Sequence, residues 1–259
     1  MGALHAAHLS LVERAKQEND AVVATIFVNP TQFAPHEDFA AYPRREGEDV
    51  AMLERAGCAA AFVPGVAEMY PPGDATRVQP GPIADPLEGA ARPGHFVGVA
   101  TVVVKLFAIT TPNVGYFGQK DFQQLRVLQT VVRDLRLGVR VVGCPIVREP
   151  DGLAMSSRNA YLTSDQREAA LALSRGLFAA RELWEGGVRD PDRLRSAVGR
   201  HVNRRDRSVE PEYVSAADPI TLTELRTPAE RVVLSLAARV GKARLIDNVL
   251  LGMDVSELS

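Results

Sequence analysis

The chain has 259 residues, of which 46% are hydrophobic and 24% charged, so it carries enough apolar material for one compact domain or two small ones and is neither disordered nor fibrous. Thirty lysines and arginines against 32 aspartates and glutamates give a net charge of −2, which argues against a broad polyanion-binding surface and against nucleic acid as partner, while leaving room for a local phosphate pocket. Cys58 and Cys144 lack Cys-x-x-Cys spacing, no run of 18 apolar residues occurs and residues 1–20 hold no signal-peptide pattern, so the expectation is a cytoplasmic protein without disulfides or a membrane partner.

Taken in chain order, Leu9 to Asn19 has the spacing of an amphipathic helix, and Ala21 to Val28 is a nearly continuous apolar run that predicts a buried parallel strand. A charged helix over Arg45 to Ala56 stops at Gly57, and a second buried run, Ala59 to Val63, stops at Pro64. Tyr70 to Pro93 is rich in Pro and Gly and reads as an irregular excursion, followed by a buried helix over Val99 to Thr110. Val114 to Phe117 then predicts a strand, Phe122 to Leu135 a helix and Val139 to Cys144 a strand, the order of a parallel sheet with crossover helices.

The pattern changes after Pro145. A polar loop runs through Asn159, helices are expected from about Ser164 to Trp184 and from Pro191 to about Asn203 around the Gly186-Gly187 break, and strands at Glu212 to Ala217, Arg231 to Arg239 and Ala243 to Asn248. The expected division is an α/β domain over residues 1–150 and a smaller α+β domain over residues 151–259.

Four clusters could carry chemistry. His5 and His8 are three apart at a helix start, where backbone amides attract phosphate; solvated histidines or two ligands of a zinc ion fit the pair as well. Asn29, Pro30 and Gln32 follow the first buried run, where amides read carboxylate or hydroxyl groups, although Asn and Pro also simply end strands. Gly118, Gln119, Lys120 and Asp121 follow another strand, with Lys120 placed to neutralise phosphate or else to sit solvated beyond a helix cap. Met155, Ser156, Ser157, Arg158 and Asn159 have the composition of a mobile phosphate clamp or of a helix cap.

Together the four clusters resemble the pantothenate synthetase family of the nucleotidyltransferase superfamily. The resemblance runs through Tyr42-Pro-Arg44, residues 87–96, residues 117–124, Met155-Ser-Ser-Arg-Asn159 and Ala243-Arg-Leu-Ile-Asp-Asn248. It implies a Rossmann-like parallel-sheet domain with a C-terminal lid domain, a homodimer, and the joining of (R)-pantoate to β-alanine through a pantoyl adenylate, with ATP and Mg²⁺ consumed or required and AMP and pyrophosphate released. By the same resemblance Met1, Gly2, Ala3, Leu4, His5, Ala6, Ala7 and His8 line the ATP site together with Gly118, Gln119, Lys120 and Asp121. Val147, Met155, Ser156, Ser157 and Arg158 complete it. Gln32 and Gln124 would hold pantoate, with Asn29 and Tyr42 beside them and Gln32 also facing β-alanine. His8, His5, Lys120 and Arg158 are the catalytic candidates, no protein metal site is expected, and Cys58 and Cys144 are read as packing residues.

Two departures accompany the resemblance. Ala7 stands where the family motif His-x-Gly-His has glycine, which is expected to weaken ATP binding. The chain also starts inside the first motif, without the Pro-Thr and the first β-strand that come before it, and the expectation is that a segment on the order of 20 to 30 residues belongs upstream. Two other functions remain open: a related adenylyltransferase acting on a phosphate-bearing acceptor, and a nucleotide-binding dimer with crippled catalysis.

Overall fold

The structure, a computed structural model, describes residues 2–34, 39–40, 42–202 and 208–258. Met1 and Asn203, both named above, lie outside the described residues. The chain folds as two compact units, Met1–Phe117 with Gln123–Val142, and Gly118–Phe122 with Gly143–Ser259. Composition changes near residue 150, whereas the change of unit comes at Val142/Gly143, and the short Gly118–Phe122 segment belongs with the C-terminal unit.

The first unit opens with helix α1 (Ala6–Glu18), strand β1 (Val23–Thr25), helix α2 (Glu46–Arg55) and strand β2 (Ala60–Phe62). The strands pair in parallel, Val23 opposite Ala60 and Thr25 opposite Phe62, and Leu4, Val12, Ala24, Ile26 and Leu53 form the core beneath them. The apolar run at 21–28 is less buried than its composition suggests: β1 pairs with β2 on one side only, and Val23 is 49% exposed. Short helix α3 (Val66–Met69) precedes the irregular excursion, and α4 (Glu88–Ala91) lies within it. Helix α5 (His95–Thr110) starts four residues earlier than its valine-rich stretch implies, because Gly94, at φ +83°, turns the chain directly into it.

Strand β3 (Val114–Gly118) pairs with β4 (Arg140–Cys144), and helix α6 (Phe122–Asp134) runs between them in sequence. Phe122, Leu125, Leu128 and Val131 make its buried stripe, at the three-residue spacing that keeps side chains on one helix face. Side chains link the end of α1 to β3: Asn19 Nδ2 donates to Tyr116 Oη over 2.7 Å, and Tyr116 Oη donates to Glu18 Oε2 over 2.7 Å.

In the second unit helix α7 (Ser164–Glu185) begins with a reciprocal cap, Gln166 N–H to Thr163 Oγ1 and Thr163 N–H to Gln166 Oε1, and ends at Gly186 with Gly187 at φ +92°. Helix α8 (Pro191–Val202) starts on proline, where no intrahelical N–H is lost. Both pack on an antiparallel sheet of β5 (Val209–Ala217), β6 (Val232–Val240) and β7 (Ala243–Leu251). Its central strand is β6, buried at every position but Arg239, and Ser235 is the one polar residue between Val232 and Ala238. No helix among the described residues is long and apolar enough to cross a membrane.

Candidate active site

The turn into α1 is fixed from a distance. Gly2 is buried, and a Cβ there would meet Val28 Cγ2 at 3.1 Å and Tyr42 Cε1 at 3.9 Å, so the structure brings the first motif against Tyr42. Ala3 has φ +50°, and the amides of Ala3 and Leu4 donate to Asp49 Oδ2 and Oδ1 over 2.8 and 2.7 Å. His5 caps α1, its N–H donating to His8 Nδ1 over 3.3 Å, and the two rings lie with centroids 4.1 Å apart, tilted by 40°. Because His8 Nδ1 accepts, the neutral ring carries its proton on Nε2. The first turn of α1 itself holds no acidic residue, although the Asp49 carboxylate lies just ahead of it on the Ala3 and Leu4 amides. Ala7 sits half-buried in that turn, its carbonyl accepting from Ser10 Oγ over 2.9 Å, and Ala6 is exposed.

A second group forms around Asn29, which is 3% exposed. Its Oδ1 accepts from Tyr70 Oη over 2.7 Å and from Thr31 Oγ1 over 3.0 Å; its Nδ2 donates to Gln32 Oε1 over 3.1 Å and to the Gly98 carbonyl over 3.2 Å. Gln32 Oε1 is thereby occupied, and its Nε2 carries no bond among the described residues. The Gln32 backbone carbonyl accepts from Arg92 Nη2 over 3.3 Å and lies 2.9 Å from His95 Nδ1, while Arg92 Nη1 lies 3.0 Å from His95 Nε2. One neutral tautomer with the proton on Nδ1 satisfies both His95 contacts. Burial pushes the Tyr70 phenol above its usual range, in keeping with its role as donor. Gly98 is indispensable to this packing, since a Cβ on it would overlap the Thr31 carbonyl.

Two adjacent glutamines at the start of α6 behave differently. Gln123 is buried and structural, accepting from Glu88 N–H at 2.9 Å and donating to the carbonyls of Pro86 at 2.7 Å and Ile83 at 3.1 Å. Gln124 is half-buried and makes no side-chain hydrogen bond among the described residues, which leaves its amide available to a ligand.

In the second unit, Gln119–Asp121 form a short 3-10 turn before α6. Asn248 on β7, 2% exposed, donates from Nδ2 to the carbonyls of Gln119 and Lys120, each over 3.0 Å, and accepts from Gln119 Nε2 over 3.1 Å. Asp121 is exposed and Lys120 half-buried. Val147 and Met155 are brought together by a hairpin, Met155 N–H donating to the Val147 carbonyl over 3.0 Å, with Gly152 at φ +95° in its turn. Ser156 then caps the 3-10 turn Ser157–Tyr161 by accepting from Arg158 N–H over 3.3 Å. Lys120, Ser156, Asn159 and Asp247 line one cavity of about 10 Å³. Burial pushes the Asp247 carboxyl above its usual range, opposed by the Arg148 guanidinium, which donates to both its oxygens over 2.7 and 2.9 Å.

Each cluster read from the sequence thus has a defined local structure. The sequence reading passed over Asp49, used Tyr70 only as the start of the irregular stretch, and quoted Arg92, His95 and Asn248 only as parts of motifs. Asp49 carried one available signal, being an acid in the first turn of a helix, a position equally common for dipole stabilisation.

Parallel strand pairs followed by a C-terminal antiparallel sheet are the architecture of solved pantothenate synthetases. The enzyme from Thermus thermophilus superposes with a TM-score of 0.93 at 48% identity, covering 96% of this chain and 90% of that one. The pantoate-beta-alanine ligase from Francisella tularensis, complexed with beta-gamma ATP and beta-alanine, matches with a TM-score of 0.77 at 36% identity, covering 99% and 89%. Among curated relatives, the pantothenate synthetase of Roseiflexus castenholzii is 57% identical over 251 residues, which is 97% of this chain and 90% of the relative. That of Thermotoga neapolitana is 52% identical over 252 residues, with the same two coverages. The Pantoate-beta-alanine ligase family model matches residues 1–250, and the chain belongs to that family.

Proposed function

We propose that the chain condenses (R)-pantoate with β-alanine at the expense of ATP, forming pantothenate, AMP and pyrophosphate. Family membership across residues 1–250, with His5, His8, Gln32, Lys120, Gln124 and Arg158 all present, carries this reading.

In the first step a pantoate carboxylate oxygen forms a bond to the α-phosphorus of ATP, and the bond from that phosphorus to the pyrophosphate oxygen breaks. Negative charge grows on the leaving group, and donors already in position stabilise it. His8 donates from Nε2, its Nδ1 being occupied by His5 N–H. Lys120 and Arg158 supply full charges, and the amides of α1 supply partial ones. Asn29 fixes Gln32 so that its Nε2 donates to pantoate, and Gln124 donates from α6. Residues 1–150 act as the ATP- and pantoate-binding domain and residues 151–259 as the lid.

In the second step the neutral β-alanine amine attacks the acyl carbon, the bond from that carbon to the AMP oxygen breaks, and the proton that the amine loses passes to the departing AMP phosphate. Gln32 orients β-alanine. The mixed anhydride between the steps is prone to hydrolysis, and exclusion of water preserves it. Mg²⁺ accompanying the nucleotide would supply further positive charge at its phosphates, beside that of Lys120 and Arg158. The working protein is a cytoplasmic homodimer, the compartment in keeping with its two free cysteines and the assembly with the family it belongs to.

The testing experiment supplies pantoate and β-alanine separately and together and follows AMP. Multiple turnovers only with both substrates are expected, since without the amine the first step stops at a retained adenylate. AMP transfer to a phosphate-bearing acceptor instead would make the chain an adenylyltransferase of another kind.

A further inference from the structure

The turn that introduces α1 contains a conformation needing an outside cause. Ala3 sits at φ +50°, a left-handed region that L-residues other than Asn and Asp seldom visit. Both amides exposed by this turn, Ala3 N–H and Leu4 N–H, point to the two oxygens of one carboxylate, Asp49, at 2.8 and 2.7 Å. That carboxylate is 2% exposed and belongs to a residue 45 positions further along, in the first turn of α2. A buried carboxylate is costly without compensation, and here two charge-assisted hydrogen bonds and the positive end of α2 provide it. Asparagine cannot replace it, because one of its two side-chain positions is a donor facing another donor.

The clamp has a consequence one residue further on. Once Ala3 and Leu4 are held, the backbone direction at His5 is set, and His5 N–H meets His8 Nδ1 over 3.3 Å while the His5 carbonyl accepts from His8 N–H over 2.8 Å. We propose that Asp49 is a positioning residue for the reaction: by clamping the amides of Ala3 and Leu4 it fixes His5 as the cap of α1 and so holds the His8 ring with its proton on Nε2. The inference rests on the role given to His8 above, but its primary readout is the state of the His8 ring and not activity.

The test uses full-length protein with ¹⁵N-labelled histidine. Long-range ¹H–¹⁵N spectra report which ring nitrogen carries the proton, and His8→Gln assigns the His8 signals. The parent is expected to show His8 as the Nε2–H form; Asp49→Asn is expected to show a mixture of both forms, with a single-turnover rate of adenylate formation lower by about 10²-fold, the scale of a misplaced reacting group, and a pantoate KM within about twofold. Ala3→Gly on the Asp49→Asn background guards against a general folding defect, because glycine takes positive φ without strain and returns part of both the rate and the Nε2–H population. An Asp49→Asn protein that keeps the parent His8 spectrum overturns the proposal, whatever its rate or melting temperature; so does a double variant no better than Asp49→Asn in either readout. If His8→Ala adenylates pantoate at the parent rate, the role of His8 fails, while the spectra still decide whether Asp49 controls its ring.

Discussion

Asn248 donates to the Lys120 carbonyl over 3.0 Å and to the Gln119 carbonyl over the same distance, so a side chain 128 positions further along holds the short turn that carries Lys120. Removing it strands two carbonyls, a cost of about 1 to 3 kcal/mol when they stay buried. Asn248→Ala is expected to lose roughly that much in chemical denaturation and to slow adenylate formation at least about tenfold, the scale of a displaced charged donor. Asn248→Asp should be worse in both, since it turns acceptors toward acceptors. Equal behaviour of the two variants would remove the directional role of the amide.

Lys120→Ala and His8→Ala are each expected to slow adenylate formation by about 10²- to 10³-fold while leaving pantoate binding nearly unchanged, because in the proposed reaction both act on charge that develops only at the transferring phosphates. Rapid-quench single turnovers measure this directly. Rates within a few-fold of the parent for either variant would take that residue out of the chemistry.

The neighbouring glutamines provide an internal control. Gln123→Ala deletes three hydrogen bonds from a buried side chain and is expected to destabilise the fold by about 2 kcal/mol or more, with substrate KM values little altered. Gln124→Ala should do the reverse, raising the pantoate KM with the melting temperature preserved. Melting curves and steady-state kinetics on both variants separate the two behaviours.

Much of this was legible in the sequence where the signal is local. The Gly186-Gly187 stop of α7, the helix expected over Phe122 to Leu135 and the strand expected over Arg231 to Arg239 rest on short-range patterns, and the structure follows them closely. The start of α5 was less so, because a left-handed Gly94 rather than a change in hydropathy sets it. Side chains serving distant backbone were not legible at all: Asp49 to Leu4 spans 45 positions and Asn248 to Gln119 spans 129, and no periodicity records such a bond. The roles of Tyr70 and of Arg92, the latter quoted only within the motif at residues 87–96, were not legible for a related reason, both lying in a Pro- and Gly-rich stretch whose pattern announces only irregularity.

Acid should loosen the support of the Asn29 group. The Lys105 ammonium bonded to Asp74, and after the opposing effect of burial the Arg77 guanidinium, hold the Asp74 carboxyl below its ordinary 3.8. Lys105 also donates to the Met69 carbonyl over 2.7 Å and lies 4.5 Å from the Tyr70 ring centre. A depressed folded value means that the stabilisation is fully present above the unfolded pKa and is lost as pH falls through the folded one. Asp74→Asn should therefore melt below the parent at pH 7, with the gap closing below about pH 4 as the parent carboxyl protonates. A gap independent of pH would assign the effect to packing rather than charge.

The central claim is that pantoate is activated through its carboxylate as an adenylate, and isotope transfer tests it most directly. With pantoate labelled with ¹⁸O in both carboxylate oxygens, the attacking oxygen becomes the bridge to phosphorus and stays with phosphorus when the amine breaks the bond to carbon. The account predicts that AMP gains one ¹⁸O while the pantothenate amide retains the other, read by mass spectrometry of both products. Unlabelled AMP, or release of ADP with the label in inorganic phosphate, would contradict it.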